Sequence, residues 1–333
     1  MKKLFAIAAV VAVALTSCVK NEVIEPAGEI TFKNFALSEN TRAEAFSTDK
    51  TFECFAIYEG EDGSRRHFWA SGAAETIAYD GTNWANVEGK YYWPKDGNLD
   101  FYAYYTDKDI HSKIVGNTTE ALGMTIANLT IDEAQGLLIA DPAKDLDRND
   151  VPIIFRHTTS RLGFYFANAN VNGANSFHLT INSIEVDQLN KFANYNETDK
   201  WTANTPEDKQ ILAANYIVTD ESIVAGTTKA AAQVELFPQA ETVITIKYTV
   251  VDNNNFKYTG TYVINPTDTA WATEANKWIA NNDYHYNLTF YFKAHDDNGD
   301  GDTNDPGEDY EIHFVPTVEE WTVQTHEIYD ERQ

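Results

Sequence analysis

The chain has 333 residues, with 25 lysine and arginine residues against 51 aspartate and glutamate residues, and a formal net charge of −26 at pH 7. So acidic a protein repels phosphate backbones, which argues against nucleic-acid binding. Its length exceeds what one hydrophobic core usually spans, so two domains are expected. Because the sequence has only two cysteines, burial of a large core has to replace a disulfide framework as the source of stability.

The first residues have the three-part layout of a secretory signal peptide. Met1, Lys2 and Lys3 form a short cationic start, residues 4–15 are an uninterrupted apolar run, and small polar residues follow. The apolar run is too short for a membrane span, which needs about 17–25 residues. The sequence therefore predicts an exported protein, with residues 1–17 as its signal peptide.

The stretch "LTSC" at 15–18 ends this apolar run with one of the two cysteines. It resembles the lipobox of bacterial lipoproteins, in which a lipidated cysteine becomes the first mature residue. This resemblance predicts lipidation of Cys18, with residues 18–28 as a lipid-anchored linker. The alternative is an ordinary signal peptide with an incidental cysteine. The other cysteine, Cys54, shares a predicted strand face with Phe52 and is expected to be a small buried hydrophobic residue.

Most of the remaining chain alternates between apolar and polar residues. In "ETVITIKYTV" at 241–250 and "YNLTFYFK" at 286–293, every second residue is apolar. This period of two is typical of half-buried antiparallel strands. Short strands with turn signals between them favour an all-β fold of β-sandwich domains.

Three local features qualify this pattern. The apolar phase shifts between Ile181 and Ile184, which predicts a β-bulge. Residues 270–280 are the one fair helix candidate. The polar stretch "DPAKDLDRNDVP" at 141–152 follows an apolar segment, and it suggests a domain boundary near residue 150. We therefore predict an amino-terminal domain at 29–150 and a carboxy-terminal domain at 151–333.

An acidic loop within residues 295–314 carries the strongest local chemical signal. Oxygen-bearing side chains alternate there as in an EF-hand loop, with a glycine at the sixth position for the sharp turn. The match fails at the twelfth position, and strands are predicted on both sides. The loop therefore predicts a weak Ca²⁺ site at a hairpin tip, formed by Asp296, Asn298, Asp300 and Asp302. The alternatives are a set of Asp300, Asp302 and Asn304, or a solvated acidic tip.

Catalytic signals are poor. The sequence has no G-x-S-x-G, no H-E-x-x-H and no phosphate-binding glycine loop. Acidic residues are abundant, but nothing singles out a pair for glycoside hydrolysis. His157 lies on or beside an apolar strand and is expected to be a core histidine. Enzymatic activity is not predicted.

Six segments of the chain carry a resemblance to a known family. They are "YYWPKDGNLDFYAYY" at 91–105, "GLLIADP" at 136–142, "VPIIFRHTTSRLGFYF" at 151–166, "ELFPQ" at 235–239, "NDYHYNLTF" at 282–290 and "EIHFVPTVEEW" at 311–321. In this order they resemble successive segments of the fimbrillin-like lipoproteins of Bacteroides-type bacteria. The resemblance implies two tandem transthyretin-like β-sandwich domains with Greek-key-like antiparallel sheets. It also implies a fimbrial subunit at the cell surface, held in the outer membrane by a lipid anchor.

The resemblance further implies a mode of assembly. In this family an amino-terminal strand is cut away after an arginine by a trypsin-like protease, and a strand from a neighbouring subunit takes its place. In this sequence the strand is "EITFKNFAL" at 29–37, and Arg42 is the cleavage site unless it is an ordinary loop residue. The donor is the tail after Trp321. Its thin apolar pattern leaves the roles of shaft, tip and anchor subunit open.

Three functions follow from these observations. The leading hypothesis is a fimbrial or adhesive subunit that joins other fimbrial subunits by donor-strand exchange. The alternative is a non-polymerising surface lipoprotein that acts as an adhesin and binds host or dietary glycans. A secreted hydrolase comes third.

Overall fold

The computed structural model describes residues 28–37, 46–69, 71–148, 150–168, 178–203, 209–218, 229–251, 255, 257–266, 276–294 and 310–321. Nearly all regular structure in these ranges is β-strand, which confirms the all-β prediction. Among the helices in these ranges, none is long and apolar enough to cross a membrane.

Within the described residues, the first half of the chain forms eleven strands and two very short helices. The strands are β1 (Phe32–Leu37), β2 (Thr51–Glu59), β3 (Arg65–His67), β4 (Glu75–Tyr79), β5 (Trp84–Asn86), β6 (Asn98–Tyr105), β7 (Ile114–Gly116), β8 (Met124–Thr130), β9 (Leu138–Ala140), β10 (Ala143–Leu146) and β11 (Val151–His157). A 3₁₀ turn covers His111–Lys113, and helix α1 covers Ile131–Ala134. A capping box starts α1, because the side chains of Thr130 and Glu133 each accept a hydrogen bond from the other's backbone N–H.

The described ranges of the second half contribute twelve further strands. They are β12 (Ser160–Asn168), β13 (His178–Asp187), β14 (Phe192–Asn196), β15 (Lys200–Ala203), β16 (Lys209–Val218), β17 (Lys229–Leu236), β18 (Gln239–Ala240), β19 (Ile244–Val251), β20 (Lys257–Ile264), β21 (Lys277–Trp278), β22 (Asp283–Ala294) and β23 (Tyr310–Trp321).

The largest sheet closes on itself. Its order is β10-β6-β9-β11-β1-β5-β4-β2-β3, and β6 also pairs with β2. The pairings therefore run in a ring through β2, β6, β9, β11, β1, β5 and β4, and back to β2. Every strand of this ring contributes buried apolar side chains to one common core. We call this core the ring interior.

Two four-stranded sheets form the layers of the second half. One has the order β17-β12-β22-β23 and the other β16-β13-β19-β20. Leu162, Phe164 and Tyr286 from the first sheet and Ile181 and Ile246 from the second belong to the same buried cluster. Two sheets that bury their inner faces against a shared core are the arrangement expected of a β-sandwich.

Hydrogen bonding continues across the predicted boundary at residue 150. Strand β11 follows that residue but pairs with β1 and β9 of the ring. A third four-stranded sheet, β15-β14-β8-β7, joins two strands from each side of the boundary. The division into domains at 29–150 and 151–333 stays a prediction, and the pairing of β11 favours a division after His157.

Two local predictions have different outcomes. The bulge is confirmed, because the register of β13 against β19 shifts between Ile181 and Ser183. The helix is wrong in the described part of its range, residues 276–280, where β21 pairs with β18. Trp278 is buried there, and its Nε1 donates a hydrogen bond of 3.0 Å to the Tyr286 hydroxyl. This tertiary anchor overrides the weak helix propensity. Residues 270–275 lie outside the described residues.

Cys54 is fully buried in the ring interior, as predicted. Burial raises the pKa of its thiol well above the ordinary value. We therefore expect iodoacetamide to leave Cys54 unmodified in the native protein at mildly alkaline pH and to modify it rapidly in urea. Peptide mapping by mass spectrometry distinguishes this residue from Cys18. Equal labelling rates with and without urea would show that the ring opens readily.

Candidate functional site

Strand β1 is held very differently by its two neighbours. It runs parallel to β11, with register pairs from Phe32–Val151 to Leu37–Phe155. On its other side it meets β5 at a single pair, Phe32–Trp84. The backbone N–H of Val151 donates to the carbonyl of Thr31 at 2.8 Å. Strand β1 therefore closes the ring, and its pairing with β5 is the weakest strand pairing in the ring.

Phe32 of β1 is buried in the ring interior among other aromatic residues. Phe32 is 1% exposed. Its ring packs edge-to-face against Phe52 at 5.8 Å and against Phe101 at 5.7 Å between centroids. Ile30, just before the strand, is buried in the same core. Without β1, the ring interior would have an apolar opening between β11 and β5.

Phe46, which follows residues 38–45 in the chain, packs against the core of the ring interior. Its ring stacks on Phe155 at 5.1 Å and meets Tyr105 at 5.2 Å and Trp84 at 5.5 Å between centroids. Sequence reasoning missed this residue, because a lone phenylalanine in "AEAFSTDK" has no period to mark it. Phe46 follows Arg42 in the chain, so cleavage after Arg42 would break the covalent link between β1 and Phe46.

Charged contacts flank the buried part of β1. Lys33 Nζ lies 2.7 Å from Asp150 Oδ2, and Thr31 Oγ1 donates to the other carboxylate oxygen of Asp150. Lys90 Nζ donates to Glu29 Oε2 at 2.6 Å. Both ion pairs are substantially exposed and screened by water, so they contribute little to stability. Burial of Ile30 and Phe32, rather than these charges, holds the strand in place.

The sequence profile of fimbrillin-like proteins matches residues 41–320 of the chain. The chain belongs to this family. Because the profile begins at residue 41, β1 precedes the matched region and Phe46 lies within it. None of the curated proteins matches the chain in sequence.

This fimbrillin-like chain is similar to several solved structures at low sequence identity. A fimbrial protein from Bacteroides vulgatus is 15% identical, with a TM-score of 0.56 over 88% of this chain and 99% of that one. A candidate cell adhesion protein from Bacteroides uniformis is 15% identical, with a TM-score of 0.45 over 89% and 98%. The fimbrial anchor protein Mfa2 from Porphyromonas gingivalis is 13% identical, with a TM-score of 0.35 over 90% and 99%.

The site residues predicted from the sequence lie outside the described residues. They are Cys18, Arg42, Asp296, Asn298, Asp300 and Asp302, together with the tail at 322–333. Lipidation, cleavage and Ca²⁺ binding therefore stay predictions. Within the ranges that the structure describes, no group of three or more His, Cys, Asp or Glu side chains could hold a metal ion. Strand β23 ends at Trp321 on the edge of its sheet, and the tail continues from there.

Proposed function

We propose that the chain is a fimbrial or adhesive surface subunit that is exported as a lipoprotein, cleaved after Arg42 and assembled by donor-strand exchange. The observation that supports this proposal is the position of β1. The strand completes the ring and buries Phe32 in the ring interior, and the segment that contains Arg42 joins it to Phe46. The family supports a surface role in association with other fimbrial subunits. Lipidation of Cys18 supplies the anchor in the outer membrane before cleavage, and loss of the peptide that ends at Arg42 removes it. This role is structural rather than enzymatic.

Cleavage after Arg42 converts β1 from a covalent part of the ring into a bound peptide. The peptide is then held by its pairing with β11 and by burial of Ile30 and Phe32. If it leaves, the facing edges of β11 and β5 lose their hydrogen-bond partners beside an apolar opening. An unpaired sheet edge of this kind binds an added strand. The tail after Trp321 of a neighbouring subunit is the proposed donor.

Limited trypsin treatment of the full chain tests this proposal. We expect cleavage after Arg42, with Ala43 as the new amino terminus, and ordered oligomers on size-exclusion chromatography. The uncleavable variant Arg42→Gln should stay monomeric. The matched control Arg148→Gln, at an exposed arginine within the described residues, should assemble like the parent.

The outcomes separate the parts of the proposal. A chain without residues 322–333 should be cleaved but should not assemble if the tail is the donor. Oligomers that survive this deletion would reject only the named donor. A cleaved protein that stays monomeric at high concentration would contradict a shaft subunit, and it would favour a tip subunit, an anchor or the non-polymerising glycan-binding adhesin.

A further inference from the structure

A cleft lies on the outer face of the ring, on the opposite side of β2 and β6 from the ring interior. It has a volume of about 480 Å³, which lies in the range of about 300–1,000 Å³ that is usual for small-molecule sites. Phe55 and Tyr104, stacked at 6.2 Å between centroids, form its floor. Ile114, the exposed Val115 and the small residues at 71–74 also line it.

Among the polar side chains that line this cleft, those of Glu53, His111 and Ser112 have atoms free for a ligand. The Glu53 carboxylate uses Oε1 to accept a hydrogen bond of 2.9 Å from Thr76 Oγ1. His111 Nδ1 lies 3.0 Å from the Tyr104 hydroxyl. Within the described part of the chain, Glu53 Oε2, His111 Nε2 and the Ser112 hydroxyl make no hydrogen bond. Each of these residues lines the cleft.

The cleft presents a mixed set of hydrogen-bonding groups. Burial, and then the negative charge of Glu53, raise the pKa of Tyr104, so its hydroxyl keeps its proton beside His111 Nδ1. The second imidazole nitrogen, His111 Nε2, stays available to a ligand and donates or accepts according to the tautomer. The cleft thus offers an acceptor at Glu53, an imidazole nitrogen at His111 and a hydroxyl at Ser112.

We infer that this cleft binds one neutral pyranose ring of a glycan. Alternating hydroxyl groups of a sugar both donate and accept, which matches the carboxylate, imidazole and hydroxyl. The C–H face of a sugar ring matches apolar walls such as Ile114 and Val115. The Glu53 carboxylate and the net charge of −26 disfavour an anionic sugar.

Sugar binding at the cleft is independent of strand exchange. Successive side chains of β2 point to opposite faces of the sheet. Phe52 and Cys54 enter the ring interior, whereas Glu53 and Phe55 face the cleft. Strand β1 contributes none of the residues that line the cleft. The inference can therefore fail while the proposed assembly stands, and it can hold if assembly fails.

Saturation-transfer NMR on the full, uncleaved Arg42→Gln chain tests the inference. The probes are the methyl glycosides of glucose, galactose, mannose, fucose, N-acetylglucosamine and N-acetylgalactosamine, with methyl glucuronide as the anionic probe. We expect at least one neutral glycoside to bind and the glucuronide not to bind. Binding by none of the six, or equally by glucuronide, would overturn the inference.

Substitutions then assign binding to the cleft. Glu53→Gln keeps a carbonyl acceptor for Thr76 but removes the charge, and we expect the affinity to fall about 10-fold or more. Ala73→Trp fills the cleft from an exposed position and should abolish binding. The control Glu61→Gln removes a carboxylate at an exposed turn outside the cleft and should bind like the parent. Binding that survives Ala73→Trp, in a variant with unchanged thermal stability, would place the sugar elsewhere.

Discussion

Replacing Phe32 with alanine should lower the free energy of unfolding by about 3–5 kcal/mol. The side chain is 1% exposed and contacts the rings of Phe52 and Phe101. Its loss leaves a cavity that rigid aromatic neighbours can fill only in part. The loss should be large because Phe32 also lies at the single register pair between β1 and β5. Urea unfolding followed by tryptophan fluorescence measures the change.

Lys33→Ala is the matched control for Phe32→Ala. Lys33 lies next along the same strand, but its side chain is 52% exposed and its ion pair with Asp150 is screened by water. We expect this substitution to change the free energy of unfolding by at most about 1 kcal/mol. In chains cleaved after Arg42, the Phe32→Ala peptide should also dissociate much faster than the Lys33→Ala peptide. Equally small effects for both variants would mean that β1 does not seal the ring interior.

The sequence was most informative where a strand has one buried face. Ile244, Ile246, Tyr248 and Val250 alternate in the sequence, and all four are buried in β19. Such alternation follows directly from the geometry of a strand with one face on a core. The imperfect alternation of "EITFKNFAL" also has a structural cause, because the register of β1 against β11 shifts between Lys33 and Ala36.

Long-range pairings could not be read from the sequence. The partner of Phe32 on β11 is Val151, which is far away along the chain. Local patterns do not encode which distant strand becomes a neighbour, so the closed ring was not predicted. The same limit applies to residue 150. The polar, proline-containing stretch at 141–152 suggested a boundary. Strand β10 lies within it, and β11, which begins at its end, pairs with strands of the ring.

The outer cleft was missed for a related reason. Glu53, His111 and Ser112 lie on different elements, and each is an ordinary surface residue when considered alone. Their shared orientation comes from the pairing of β2 with β6 and from the 3₁₀ turn that follows β6. A single sequence gives no signal for such a group, whereas three metal ligands with a fixed spacing would have given one.

Replacing Arg161 with methionine should lower the free energy of unfolding by about 3–5 kcal/mol. Arg161 and Asp283 are register partners on the parallel strands β12 and β22. Arg161 Nε donates to Asp283 Oδ2 at 2.8 Å, Nη2 donates to the same oxygen, and His285 Nε2 lies 3.2 Å from it. The hydrogen bond with Asp283 raises the pKa of the Arg161 guanidinium. The carboxylate side chain is only 2% exposed, so removal of the arginine leaves a buried charge without its main partner.

Two further variants separate this effect from the loss of any arginine. Arg156→Met removes a guanidinium that binds both oxygens of Asp141, but those side chains are 33% and 46% exposed. Water can solvate the carboxylate that is left, so we expect a loss of about 1 kcal/mol or less. The double variant Arg161→Met with Asp283→Leu removes both buried charges and should regain most of the stability. Thermal and urea unfolding of the three variants measure these differences. If Arg161→Met and Arg156→Met are equally mild, water or the adjacent His285 must compensate the Asp283 charge in the variant. If the double variant is as unstable as Arg161→Met, the lost stability comes from packing at β12 and β22 and not from the unpaired charge.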